Sequence, residues 1–179
     1  MAQVSEMIQQ SREVVTKPSV ASFERYETSG TMQDALIYVA IAAAISGLLG
    51  LGGGIGGLIS GIVTTLLGFF IFTYLIFWIG KQQGGTGSLD EVAYTFSLFW
   101  VPLSVIGGIA TLILTITVIG IVFLPILVIA VMIANIYFAY LAVQSSMNLP
   151  AGGKTWLVLI LAALGAGVVN GIITAILFR

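Results

Sequence analysis

Residues 92–153, VAYTFSLFWVPLSVIGGIATLILTITVIGIVFLPILVIAVMIANIYFAYLAVQSSMNLPAGG, form a run of 62 residues without one charged side chain. As a single straight helix the run would extend roughly 93 Å, about three times the hydrocarbon thickness of a bilayer. It must therefore fold back on itself as two apolar helices. Working outward, Asp34 and Lys81 enclose 46 uncharged residues, and Lys154 and Arg179 enclose 24. One crossing takes about 20 apolar residues, so the first of these stretches holds two crossings and the second holds one. The sequence thus predicts an all-α integral membrane protein, a five-transmembrane-helix bundle in one membrane domain (31–179). Its spans fall at about 33–50, 57–79, 91–114, 118–145 and 155–178.

Composition agrees with this reading. Of 179 residues, 59% are hydrophobic and 7% are charged, and the mean hydropathy is +1.14. Soluble domains carry about 25% charged residues, so the chain lacks the polar cover of a water-facing surface. There is no cysteine and no histidine. That removes disulfides, thiolate and imidazole metal ligands, and Ser-His or Cys-His nucleophile pairs. A net charge of −1 supplies no basic field for nucleic acid. No cofactor and no enzyme activity are expected. The first apolar run follows about 30 polar residues, so no cleaved signal peptide is expected either.

Residues 1–30 read as a cytosolic or interfacial amphipathic segment. A short helix over 2–16 gathers Val4, Met7, Ile8, Val14 and Val15 near one face. Pro18 ends it, and Val20, Phe23 and Tyr26 continue the apolar stripe. The stripe is too large to leave in water, so the segment should be ordered against the cytosolic ends of the bundle. Met7, Ile8, Phe23 and Tyr26 are its candidate partner-binding residues. With three Lys/Arg against four Glu, attraction to anionic lipid is not the driving term.

Two capping boxes open spans: Thr31 with Asp34, and Ser88 with Glu91. The run Gly50–Gly57 allows a tight reversal. Gly57, Gly61, Thr64 and Gly68 form a small-residue face on the second span, and Gly167 and Gly171 form one on the fifth with Asn170 beside them. Without a hydrophobic drive between helices in lipid, such faces associate helices by close backbone approach. Polar side chains on the third and fourth spans, Ser97, Ser104, Thr111, Asn135, Tyr137, Tyr140 and Gln144, are either interhelical hydrogen bonds or the lining of a polar path. No charge lies at mid-membrane depth, which argues against a proton-coupled pump.

Two tempting motifs carry no chemistry. Gly152-Gly153-Lys154-Thr155 lacks the glycine that a phosphate loop needs at position 148, which is Asn148. Asp90 and Glu91 diverge by about 100° on a helix and serve as caps and dipole partners. Lysine and arginine set the orientation. With the N-terminus in the cytoplasm that side holds Arg12, Lys17, Arg25, Lys81 and Lys154, and the outer side holds only Arg179. The expectation is a multi-pass protein of the inner, cytoplasmic membrane with its C-terminus outside.

The order of features resembles a known family. Lys17-Pro18 with Phe23, a two-span hairpin, Gly84-Gly85-Thr86-Gly87-Ser88 with Glu91-Val92-Ala93-Tyr94, and Pro102 inside the third span resemble the Ypt-interacting protein (Yip) family in its bacterial form. The resemblance covers nearly the whole chain and implies a five-helix membrane domain with a cytosolic N-terminus. Eukaryotic members are associated with Rab-type GTPases and vesicle traffic, and they carry an Asp-Leu-Tyr-Gly-Pro type motif in a long N-terminal region. That motif is missing from residues 1–30, which argues against a GTPase partner. The expected function is non-enzymatic membrane organisation or partner binding, with self-association through small-residue faces. The expected partners are membrane lipids, further copies of the chain and a protein on the cytosolic face. The alternative is a small permease or lipid-moving protein with a polar path between the third and fourth spans.

Overall fold

The computed structural model describes residues 4–177. All of its regular structure is helical among the described residues: α1 (Val4–Thr16), α2 (Val20–Glu24), α3 (Met32–Leu49), a 3-10 turn (Gly50–Gly53), α4 (Gly54–Gln82), α5 (Leu89–Ile116), α6 (Val118–Met147) and α7 (Gly153–Leu177). Four helical stretches are long and apolar enough to cross a membrane, the first being Met32–Gln82, in which α3 and α4 follow each other across the 3-10 turn. Phe178 and Arg179, at the C-terminal end of the fifth predicted span and just past it, lie outside the described residues.

The helix starts are local chemistry. Both capping boxes are present: Thr31 N–H donates to Asp34 Oδ2 at 3.0 Å and Ser88 N–H to Glu91 Oε2 at 3.0 Å. Each cap hydroxyl in turn accepts the N3 amide, so two otherwise orphaned donors are satisfied at each start. Thr117 caps α6 by accepting from Gly120 N at 3.0 Å. Asn148 ends α6 in the left-handed region at φ 53°, a conformation that Asn tolerates better than most residues. Pro102 sits within α5 without ending it.

The reversal between α3 and α4 depends on glycine. A Cβ added at Gly50 would lie 2.3 Å from the Gly57 carbonyl oxygen, and one at Gly61 would lie 2.5 Å from the Ser46 carbonyl oxygen. Backbone therefore meets backbone across this hairpin, as the small face of α4 requires. Beyond it, α3 also packs on α5, α5 on α6, and α4 on α7, while α6 and α7 touch much less. Around the bundle the order is thus α6, α5, α3, α4, α7, with α7 returning to touch α6 and α4 also meeting α5.

The core lies at the end of the bundle that carries α1 and α2. An aromatic chain runs through it: Phe23 meets Phe99 edge-on at 6.0 Å, Phe99 meets Phe96 at 5.3 Å and Phe138 at 5.7 Å, and Phe96 meets Phe72 at 5.7 Å. Such pairs contribute about 0.5–1.5 kcal/mol each beyond their area. Away from this end, large apolar side chains such as Ile55, Ile106, Ile113, Val122 and Ile126 point outward and are exposed. On a soluble surface they would be an aggregation liability; on a membrane helix they face lipid.

Candidate functional site

The polar residues gather in a cap at the α1–α2 end. Tyr94 of α5 donates its hydroxyl to Gln10 Oε1 at 2.7 Å, and Tyr38 of α3 donates to Ser11 Oγ at 3.0 Å. Tyr26 donates to Glu13 Oε2 at 2.5 Å, and Arg25 pairs with the other oxygen of Glu13. The Met32 amide donates to Asp90 Oδ1 at 2.8 Å. The loop after α4 is stitched to the end of α6: Thr86 N–H donates to the Met147 carbonyl at 3.0 Å, and Asn148 Nδ2 donates to Thr86 Oγ1 at 3.1 Å. A Cβ at Gly87 would fall 1.6 Å from the Ser146 carbonyl oxygen, and one at Gly30 would fall 2.2 Å from the Tyr94 ring. Glycine is the only residue that fits at either place.

The cap corrects part of the partner-surface expectation. Met7 and Phe23 are buried beneath α1 and α2, because the bundle itself covers the apolar stripe. They cannot offer that surface to a partner. Ile8, about 100° around α1 from Met7, is 54% exposed, and Tyr26 is half-buried. Sequence reasoning missed Gln10 and Ser11 as anchors. Their only signal was a polar pair interrupting the amphipathic face.

Glu27 closes the cap by accepting the Ser145 hydroxyl at 2.5 Å. Burial raises its pKa, the Ser145 hydrogen bond opposes the rise, and the charges of Glu91 and Glu24 add to it. The folded state therefore holds this proton more tightly than the unfolded chain does. For an acid shifted upward, stability is fully present at low pH and is lost as pH rises through the window just above the ordinary carboxylate value. In Glu27→Gln that loss should vanish. Detergent melting from about pH 4 to about pH 7 measures it; parallel curves for variant and parent would show that Glu27 contributes none of the dependence.

The predicted polar path between α5 and α6 does not assemble. Ser97 is buried and donates to the Tyr94 carbonyl at 2.7 Å. Thr111 donates to the Gly107 carbonyl at 2.8 Å and lines a cavity of about 250 Å³ whose other walls are apolar apart from backbone. Gln144 donates to the Tyr140 carbonyl at 3.2 Å, and Tyr140 stacks on Trp156 at 4.7 Å near the cap. Tyr137 is exposed on the outer surface, and Ser104 is half-buried. Ser97, Thr111 and Gln144 are satisfied by a carbonyl one turn back on their own helix, so no continuous polar track is needed to satisfy them.

A larger cavity of about 400 Å³ lies elsewhere, between α4, α5, α6 and α7, where α6 and α7 touch little. It brings Asn135 of α6 into one space with Asn170 of α7 and Thr64 and Gly68 of α4. The Asn170 amide sits over Gly68, 3.7 Å from where a Cβ there would be. The predicted packing face is therefore divided. Gly57 meets the 3-10 turn at Gly50, Gly61 meets α3 and Gly68 meets α7, but a Cβ at Gly167 or Gly171 would meet nothing within 4 Å among the described residues. Among the described residues that face of α7 meets no neighbour, because α7 turns Gly165 and Ala166 toward α4 and the core instead.

Apart from the α3–α4 hairpin and Pro102 within α5, the residues that carry the family likeness gather in the cap. Gly84 to Ser88 form the loop stitched to α6, and Tyr94, Phe23 and Pro18 hold or shape the α1–α2 segment. No curated protein and no solved structure is recognisably similar to the chain. The family model of the Yip1 domain matches residues 12–172, nearly the whole length, and the chain belongs to the Yip1 domain family.

Proposed function

We propose that this chain is a non-enzymatic, membrane-organising protein that crosses the cytoplasmic membrane five times and presents its cap to a cytosolic protein partner. The observation that carries the reading is where the polar groups sit. The membrane body holds no charged side chain, whereas the cap joins five segments through side-chain hydrogen bonds and keeps a solvent face on α1 with exposed Ile8, Gln9 and Arg12. A pre-assembled surface binds without the ordering cost of a loose tail. The tight α3–α4 hairpin supports counting Met32–Gln82 as two crossings. The open Gly167–Gly171 face supports self-association along α7.

Two experiments test this. Cysteines introduced at Gln83 and Arg179 should label from opposite sides of intact cells, and labelling of both by an impermeant reagent would overturn the five-crossing topology. A photo-crosslinker placed at Ile8 in cells should yield a discrete protein adduct that Arg12→Glu weakens. Lipid adducts alone would mean that the cap lies on the membrane and recruits no protein.

A further inference from the structure

We infer that the cavity between α4, α5, α6 and α7 is a binding site for a hydroxyl-bearing long-chain lipid, with Asn135 and Asn170 as the residues that recognise the hydroxyl. Each asparagine donates from Nδ2 to the carbonyl four residues earlier, Val131 and Ala166 respectively, at 2.9 Å. That partner is a carbonyl and can only accept, so the amide nitrogen is fixed toward the helix. The Oδ1 and the second N–H of each amide are left for the cavity, and among the described residues neither Oδ1 is assigned a hydrogen bond. A hydroxyl matches this pair: its hydrogen goes to one Oδ1 and its oxygen accepts from the other amide. An ester or ether can only accept.

Depth and shape select a lipid. Asn135 lies 13 residues from the α6 cap at Asn148, and Asn170 lies 17 residues from Gly153, which is roughly 20–25 Å along the helices and well inside the hydrocarbon. Water-soluble ligands do not reach that depth unaided. The walls are aromatic, with Phe69, Phe72, Phe99 and Trp100, and suit a hydrocarbon chain. Exposed Ile136 and Ala163 stand at the rim, so entry is sideways from the lipid. The volume falls within the ordinary range of about 300–1,000 Å³ for small-molecule sites.

Trp100 reports occupancy directly. In a Trp78→Phe/Trp156→Phe background in nanodiscs, a bromine-labelled long-chain alcohol should quench Trp100 at a mole fraction roughly threefold to tenfold below that of its methyl ether, the span expected for hydrogen bonds within a membrane. Asn135→Leu/Asn170→Leu should abolish this preference and leave quenching by the ether unchanged, while Ala163→Phe should weaken quenching by both. Equal quenching by alcohol and ether in the background protein would overturn the proposal without recourse to any variant, since ordinary chain filling would then suffice. A preference that survives the double asparagine variant, with unchanged thermal melting, would place the hydroxyl elsewhere and overturn it equally.

Discussion

Gly61→Leu is expected to separate α3 from α4 and destabilise the chain by about 3 kcal/mol or more, whereas Gly171→Leu should leave its melting unchanged. The two glycines have the same kind of neighbours in sequence, and their surroundings differ completely. At Gly61 even a Cβ would sit 2.5 Å from the Ser46 carbonyl oxygen and 3.0 Å from the Gly47 Cα, all of it backbone. Backbone cannot swing aside as a side chain can, so the hairpin must open, and overpacking usually costs about 1–3 kcal/mol even where side chains can give. At Gly171 nothing stands within 4 Å among the described residues. Leucine there meets only lipid or a second copy, so its expected effect is on self-association. Thermal melting in mild detergent beside native mass spectrometry separates the two outcomes. Equal loss of stability in both variants would mean that α7 packs within the chain through this face after all.

Phe23→Ala should release the N-terminal segment. The side chain is fully buried and meets Phe99 edge-on at 6.0 Å. It is the main apolar pin between α2 and the bundle. Truncating a buried phenylalanine costs about 3–5 kcal/mol through lost contacts and the cavity left behind. Five residues of α2 have little intrinsic helix stability to set against that loss. Hydrogen exchange over residues 4–26 should become fast while α4 and α5 remain protected. Ile8→Ala, on the exposed side of α1, should change stability by no more than about 0.5 kcal/mol. If the Phe23 variant retained slow exchange throughout the segment, the Tyr94–Gln10 and Tyr38–Ser11 hydrogen bonds would have to hold it alone.

The surviving cap surface is small and polar. Burial of Met7 and Phe23 leaves only the outer side of α1 for the proposed partner, while the loop from Lys81 to Leu89 is stitched separately to the end of α6. Lys81 itself donates to the Thr86 carbonyl at 2.9 Å. A lysine expected to mark the cytosolic side thus also shapes the loop. The aromatic core around Phe99 both holds Phe23 of the cap and walls the lipid site proposed at Asn135 and Asn170, and the two readings are tested by separate readouts, adducts at Ile8 and quenching of Trp100.

By itself, the sequence determined the features whose physics is local. Charges at Asp34, Lys81, Glu91 and Lys154 cannot be drawn into hydrocarbon, so they mark where apolar helices end, and the gaps between them set helix lengths. Thr31 with Asp34 and Ser88 with Glu91 bond within one turn, so their capping needs no tertiary partner. What the tertiary structure decided was which of several equivalent faces met a neighbour. Small residues on α4 and α7 permit close approach without choosing a partner, and only the packing order gave Gly61 a backbone against it and left Gly171 open. An apolar stripe shows only that it will be covered; the bundle, rather than a second protein, covered Met7 and Phe23. Polar side chains inside helices can turn back to their own carbonyls, as Ser97, Thr111 and Gln144 do, so their spacing along α5 and α6 could not reveal that Asn135 faces a space shared with Asn170, 35 residues away in sequence.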